Sequence, residues 1–286
     1  MRRGFWHAFL VPPGLWLLAL YVAPIAFIGA VSVATVDFIG NPVYGWNTAN
    51  FHEVLSSTFL PPLVHSLLFA LVTTLICLAV GYPTAYVIAR YGGRVRHLLL
   101  ALLVLPWFVD YLVRIYAWVV IFGDKGLVNG VLRDLGLSGD PPVTFLNTWY
   151  AVIGGLVYSY FPFMVLPIYA AVERMDGALV EAGKDLYASP FRTFVHVTLP
   201  ETFQGVLGGC VLVFLPAAGD FANAQLLGGP NQTMIGNLIQ DQFNSSGDWP
   251  LGSAMTVVFM AILAVFMVFY LVSSARSTRS TGGSGF

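Results

Sequence analysis

Apolar runs separated by short polar stretches dominate the chain. Six of them are read as helices that cross a bilayer, a crossing that takes about 20 apolar residues: 8–33, 63–89, 98–122, 149–172, 204–218 and 252–274. The fifth is the shortest. Pro216-Ala217-Ala218-Gly219-Asp220 interrupts it, and helix is expected to resume beyond. The run GLVNGVLRDLG at 126–136 predicts a short amphipathic helix, with Leu127, Val131, Leu132 and Leu135 on one face. Between the fourth and fifth runs lies a polar island, EAGKDLYASPFRTFVHVTLP, at 181–200. Leu179, Ala182 and Leu186 make one apolar stripe before Ser189-Pro190. Phe191, Phe194, Val195 and Leu199 make a second stripe after it. Ser189 reads as a helix N-cap and Pro190 as the first residue of that helix. Two short amphipathic helices are therefore expected to meet at a sharp corner.

Composition agrees with a lipid setting. Of 286 residues, 57% are hydrophobic and 9% charged, against about 25% charged in a soluble domain. A net charge of −1 argues against nucleic acid as a partner. Lys and Arg set the orientation. Ten of them (Arg2, Arg3, Arg90, Arg94, Arg96, Arg174, Lys184, Arg192, Arg276, Arg279) fall on one side, against Lys125 and Arg133 on the other, with Arg114 inside the third run. Both termini of a multi-pass membrane protein are thus expected in the cytoplasm, with the island on the same side. The expected organisation is a cytoplasmic N-terminus at 1–7, a membrane domain at 8–274 and a disordered cytoplasmic tail at 275–286. The first run is read as an uncleaved span, not a signal peptide. The outer loops carry Asp37, Glu53, Asp124, Asp134, Asp140, Asp220, Asp241 and Asp248. That balance either follows from the depletion of cations outside or favours a cationic solute. Cys77 and Cys210 lie in apolar runs and read as small hydrophobes.

Candidate chemistry is sparse. No G-x-x-x-x-G-K-[ST] run cradles a phosphate, and Gly183-Lys184-Asp185 lacks both the flanking glycine and the hydroxyl. No catalytic motif is present, and His7, His52, His65, His97 and His196 are scattered, so neither an enzyme nor a metal site is expected. Charges at membrane depth stand out. Asp110 and Arg114, four apart, either form an internal ion pair or line a path. Asp220, beside the break at 216–219, is a candidate partner for an ammonium group. Trp107, Tyr111, Tyr158 and Tyr160 would offer cation–π faces there, or else pack as ordinary aromatics. Pro162 and Pro167 read as kinks. The island reads as a docking element. The alternative, a helix lying on lipid headgroups, sits badly with Glu181 and Asp185 beside an anionic leaflet.

Glu181-Ala182-Gly183, Ala188-Ser189-Pro190, Phe194 and Val197-Thr198-Leu199-Pro200 resemble the EAA loop of ABC importer permeases. Gly183 stands where that motif has its second alanine, and Tyr187 where it usually has glycine. Further stretches resemble the spermidine/putrescine-type branch: Leu105-Pro106-Trp107 with 111–118, Gly126-Leu127-Val128-Asn129, and Gly219-Asp220-Phe221 through Asp248-Trp249-Pro250-Leu251-Gly252. The resemblance implies an all-α, six-span permease whose coupling loop, about 178–200, contacts an ATPase through Glu181, Ala182, Gly183, Asp185, Tyr187, Ala188, Ser189, Pro190, Leu199 and Pro200. It implies a second homologous permease subunit as heterodimer partner, two ATPase subunits that hold ATP and Mg, and an extracytoplasmic solute-binding protein. No cofactor is expected on this chain. The implied solute is a polyamine. The rival reading is another small solute, or a stand-alone secondary transporter, which predicts inverted repeats that the sequence does not display.

Overall fold

The computed structural model describes residues 3–37, 42–56, 59–137 and 142–281. Arg2, Asp140 and the end of the expected tail, 282–286, lie outside the described residues. The chain is helical nearly throughout, and six stretches are long and apolar enough to cross a membrane.

In chain order, α1 (Arg3–Ser32) supplies the first crossing. It is followed by a pair of two-residue antiparallel strands, β1 (Thr35–Val36) and β2 (Pro42–Val43), and by the short α2 (Ala49–Val54). The strands depart from the all-helical expectation only at this loop. The second crossing is α3 (Leu60–Tyr91). The expected continuous run over 98–122 is broken into α4 (Arg96–Val104), a tight 3-10 turn over Leu105–Phe108, and α5 (Tyr111–Phe122), and the third candidate crossing, Tyr111–Asp134, begins only at α5. Val109 and Asp110 between them are extended, with ψ of 139° and 141°. Pro106 has no N–H to continue the ladder. Twelve residues of α5 rise only about 18 Å, so α5 alone cannot span about 30 Å of hydrocarbon.

Next come α6 (Leu127–Asp134) and the fourth crossing, α7 (Trp149–Arg174), which is helical through Pro162 and Pro167. The island folds as α8 (Gly177–Asp185) and α9 (Pro190–Thr193). The second island helix does not stop at Leu199-Pro200, as the sequence suggested. It passes through a π turn over Phe194–Thr198 directly into α10 (Leu199–Ala218). The wider turn lies over the residues whose carbonyls Pro200 leaves unpaired or would strike. The fifth crossing is thus one helical run, Pro190–Ala218. Two short helices, α11 (Ala222–Leu227) and α12 (Ile235–Asp241), precede the sixth crossing, α13 (Trp249–Thr281). That helix continues to Thr281, past the point where a disordered tail was expected.

The chain divides into two compact units. One comprises 1–61 and 238–263. Its buried cluster is Val54, Leu251, Ala254 and Met255, with Phe51, Phe59, Leu238, Ile239 and Val258 around it. Asn50 Nδ2 donates to the Ser32 and Ala34 carbonyls at 3.0 Å each, closing the end of α1. The apolar residues of α1 between Val11 and Phe27 are mostly exposed, a surface that suits lipid.

The other unit comprises 62–237 and 264–286. Its core lies where α3, α7 and α10 pack, around Cys77, Tyr82, Met164, Val165, Ile168, Val172 and Val206. Small residues allow that packing: a Cβ on Gly205 would sit 2.6 Å from Ala171 Cβ and 2.7 Å from the Pro167 carbonyl. Without an aqueous phase to drive association, such close backbone approach supplies the dispersion contacts that hold helices together in lipid. The Tyr82 and Thr202 hydroxyls are 2.8 Å apart, a buried link from α3 to α10.

Candidate functional site

Two places carry the residues that the sequence singled out: the α8–α9 corner and a cavity at the break between α4 and α5.

The corner is built by local capping. Asp176 Oδ1 accepts the Ala178 N–H at 2.9 Å at the start of α8. Ser189 caps α9 by accepting the Arg192 N–H at 3.4 Å, and Pro190 is the first helical residue. Between the helices, Leu186 N–H donates to the Ala182 carbonyl and Ala188 N–H to the Gly183 carbonyl, at 3.2 and 3.1 Å. That closing pattern puts Tyr187 in the left-handed region, at φ 56°. The two apolar stripes are only partly covered by the fold. Ala182 and Leu186 are exposed, and Leu179 is 44% exposed. Gly183 of α8 is buried, and a Cβ there would lie 3.1 Å from Thr193 Cγ2. In the second stripe Phe191 is exposed, whereas Phe194 packs edge-on against Tyr82 with centroids 5.3 Å apart. Glu181, Asp185, Ser189, Pro190 and Pro200 are exposed; Ala188 and Leu199 are half-buried.

Two polar ties fix the base of the corner. Arg90 at the end of α3 donates to the Met175 carbonyl at 3.0 Å. Arg96 at the start of α4 pairs with Glu173 in the last turn of α7 at 3.0 Å. Neither carbonyl nor glutamate was singled out by the sequence.

The cavity measures about 560 Å³ and is lined by Trp107, Tyr111, Arg114, Tyr160, Phe163 and Pro216, among others. Arg114 is 8% exposed. Its guanidinium carbon lies 5.7 Å from the centre of the Tyr111 ring and 6.0 Å from that of Trp107. Nε has no hydrogen-bond partner. Of the two readings of Asp110 and Arg114, the internal ion pair does not form. Asp110 is exposed and caps α5, its Oδ1 accepting the Leu112 and Val113 N–H groups at 3.0 and 3.3 Å. The break at 105–110 makes Asp110 the residue before a new helix, so the first-turn amides take its carboxylate. Arg114 instead fills the aromatic slot that was expected to receive a solute ammonium. A second cavity of about 340 Å³ lies on its other side, with Trp107, Trp118 and Tyr158 in its wall. Tyr158 packs edge-on against Trp118 at 5.3 Å and is not part of the first cavity.

Asp220 is buried, not open to solute as expected. It follows the end of α10 and binds across elements. Oδ1 accepts the Asn223 backbone N–H at 3.0 Å. Oδ2 accepts the Tyr160 hydroxyl at 3.0 Å, the Asn223 side-chain amide at 2.8 Å and the Tyr111 hydroxyl. Asn223 Nδ2 also donates to the Tyr111 oxygen at 2.8 Å. The carboxylate thus accepts hydrogen bonds from residues of α5, α7 and α11. Asn223 was missed; its only signal was the spacing of Asp220 and Asn223, three apart at a helix start. Asn129 was missed too. The face of α6 with Leu127, Val131 and Leu135 is exposed, while Asn129 is fully buried. It donates to the Gly123 and Val143 carbonyls at 3.2 and 3.0 Å and accepts the Val143 N–H at 3.1 Å.

Comparison with known proteins gives these places a family. Residues 80–279 match the family described as "Binding-protein-dependent transport system inner membrane component". The spermidine/putrescine transport system permease protein PotB of Haemophilus influenzae is 38% identical over 89% of this chain and 89% of its own length. That of Escherichia coli K12 is also 38% identical, over 89% of this chain and 92% of its own. Among solved structures, a bacterial ABC transporter involved in the import of alginate superposes with a TM-score of 0.78 at 19% identity, covering 95% of each chain. A second alginate transporter structure, in complex with an alginate pentasaccharide-bound periplasmic protein, gives 0.77 at 17% identity, over 99% of this chain and 96% of that one. Six apolar crossings, a shared fold and a family match that runs from α3 to α13 agree, and the chain belongs to the family of binding-protein-dependent transport system inner membrane components.

Proposed function

We propose that this chain is the permease subunit of an ATP-driven importer of polyamines, with the α8–α9 corner as the element that receives motion from a partner ATPase. The observation that carries the solute class is similarity to spermidine/putrescine permeases, 38% over 89% of the chain. In this reading a second permease chain, two ATPase subunits holding ATP and Mg, and an extracytoplasmic binding protein complete the machine. The corner lies in the cytoplasm, with both termini.

The geometry supports a lever. The helical run Pro190–Ala218 is about 43 Å long. One end is the corner; the other abuts Asp220, whose oxygens hold Tyr111 and Tyr160 of the cavity wall. Displacement of the corner would be transmitted along the rod to the aromatic wall, while Arg90 and Arg96 hold α7 to α3 and α4. Trp107, Tyr111, Arg114 and Tyr160 then bound the space through which a solute passes, and Asp220 positions two of them.

Arg114 favours a second reading. A guanidinium in the cavity wall whose Nε has no hydrogen-bond partner suits a solute that carries an acid group beside its amine. One assay separates the two. In proteoliposomes holding the full complex and binding protein, spermidine or putrescine should stimulate ATP hydrolysis. Stimulation by an amino-carboxylate or aminophosphonate alone would overturn the polyamine assignment. Glu181→Lys should retain ATP hydrolysis and lose stimulated uptake; undiminished uptake would refute the coupling role of the corner.

A further inference from the structure

Arg114 is the charged group that the fold provides for least. It is 8% exposed, and a guanidinium, unlike an ammonium, does not escape the cost of burial by giving up its proton. Charges at membrane depth are ordinarily paired. Neither carboxylate of this region serves. Asp110 caps the first-turn amides of α5, and Asp220 accepts from Tyr111, Tyr160 and Asn223. The rings of Tyr111 and Trp107, 5.7 and 6.0 Å from the guanidinium carbon, stand near the outer reach of a cation–π contact and carry no net charge. Arg114 Nε is buried and has no hydrogen-bond partner. Ser159, also buried, brings a hydroxyl to the same cavity. Since the Tyr111 and Tyr160 hydroxyls are taken by Asp220, the polar side chains left in the wall are Trp107, Arg114 and Ser159. All three can donate a hydrogen bond, and only the serine can accept one.

We propose that this cavity is a binding site for a small monovalent inorganic anion, of halide size, held by Arg114. The anion supplies the acceptor that Nε lacks and the opposite charge that a buried cation needs. Size permits it: a water takes about 30 Å³, and an ion on that scale leaves most of the 560 Å³ to a solute. The site also removes a difficulty in the function proposed above, and only this consequence rests on the polyamine assignment. A polycation drawn into the cavity meets a fixed positive charge in its wall. Like charges a few ångströms apart repel strongly in surroundings poorer in water than bulk solvent. An anion between guanidinium and ammonium turns that repulsion into two attractions. An acid group on the solute is the other source of the same chemistry, and a polyamine has none.

The test uses the complete complex in detergent, without solute, in sodium chloride or sodium gluconate of equal ionic strength. Gluconate is bulky and fits a halide-sized site poorly. For a site half-filled at about 10 mM, about 150 mM chloride should raise the thermal transition by about 3–6 °C over gluconate. Bromide quenches indole fluorescence on contact, so titration should show a saturable component, and Trp107→Phe should remove it. Arg114→Gln should abolish both the chloride shift and the saturable quenching; Arg114→Lys should keep them at about tenfold weaker affinity. Equal transition temperatures in the two salts, with quenching that never saturates, overturn the site. So does an equal response from the parent and Arg114→Gln. Should Arg114→Gln fail to fold, the parent's halide titration and Trp107→Phe still decide. A transition raised by an aminophosphonate or amino-carboxylate and not by chloride places the anion on the solute and overturns the free ion. In proteoliposomes with the binding protein, spermidine-stimulated hydrolysis should fall about fivefold in gluconate for the parent and not for Arg114→Gln. Equal parent rates in both salts would overturn the shielding. No stimulation in either salt would overturn the polyamine assignment, an outcome distinct from the solute-free titrations.

Discussion

Asp220 separates a structural role from a solute-binding one, and the structure sets the size of the effect. Replacing it by Ala removes the acceptor of four hydrogen bonds, from Tyr111, Tyr160 and twice from Asn223. Two donors keep an alternative: Asn223 Nδ2 still reaches the Tyr111 oxygen at 2.8 Å, and the Tyr160 hydroxyl has the Pro216 carbonyl at 3.4 Å. The Tyr111 hydroxyl and the buried Asn223 backbone N–H are left without a partner. At about 2 kcal/mol for each orphaned buried donor, the loss is about 4 kcal/mol. At about 2–4 °C per kcal/mol for a chain of this size, the thermal transition in detergent should fall by about 10 °C. Asp220→Asn keeps the shape and an oxygen for the Asn223 N–H, and tyrosine hydroxyls can turn to accept from its amide; it should cost about 1–2 kcal/mol. If Asp220 serves as a brace, transport by Asp220→Asn should follow the amount of folded protein. An unchanged transition temperature together with abolished transport would refute the brace and return Asp220 to the solute.

Two further substitutions probe the scaffold. Asn129→Ala removes three hydrogen bonds of a fully buried side chain and should destabilise the α5–α6 turn by about 3 kcal/mol, seen as faster amide exchange at Val143 and cleavage near 142 by added protease. Gly205→Ala puts a methyl 2.7 Å from the Pro167 carbonyl, forces α10 off α7, and should cost about 1–3 kcal/mol in the detergent melting curve; no change would mean that the helices part freely.

What could be read in the sequence was what is decided locally. The crossings were legible because a helix satisfies its own backbone groups, so an apolar run of sufficient length is enough to specify it in lipid. Ser189 and Pro190 were legible because a cap depends on residues within one turn. The stripes were legible as such, but periodicity finds the apolar face of a helix without saying whether the fold or a partner covers it. Leu186 and Phe191 lie on that face and stay exposed. The break at 105–110 went unread, although Pro106 lies in it, and its consequence, Asp110 as a cap in place of an ion-pair partner, needed the backbone angles.

The amino-acid sequence by itself determined that the chain has six apolar crossings and which family it resembles, because both rest on neighbours in the chain. Tertiary structure alone decided the chemistry of the charges at depth. Asp220 finds its hydroxyl donors 109 and 60 positions away, at Tyr111 and Tyr160. A carboxylate in a low-dielectric interior takes its character from whichever donors the packing brings to it. Packing brought it tyrosines and an asparagine, and left Arg114 on the aromatic faces.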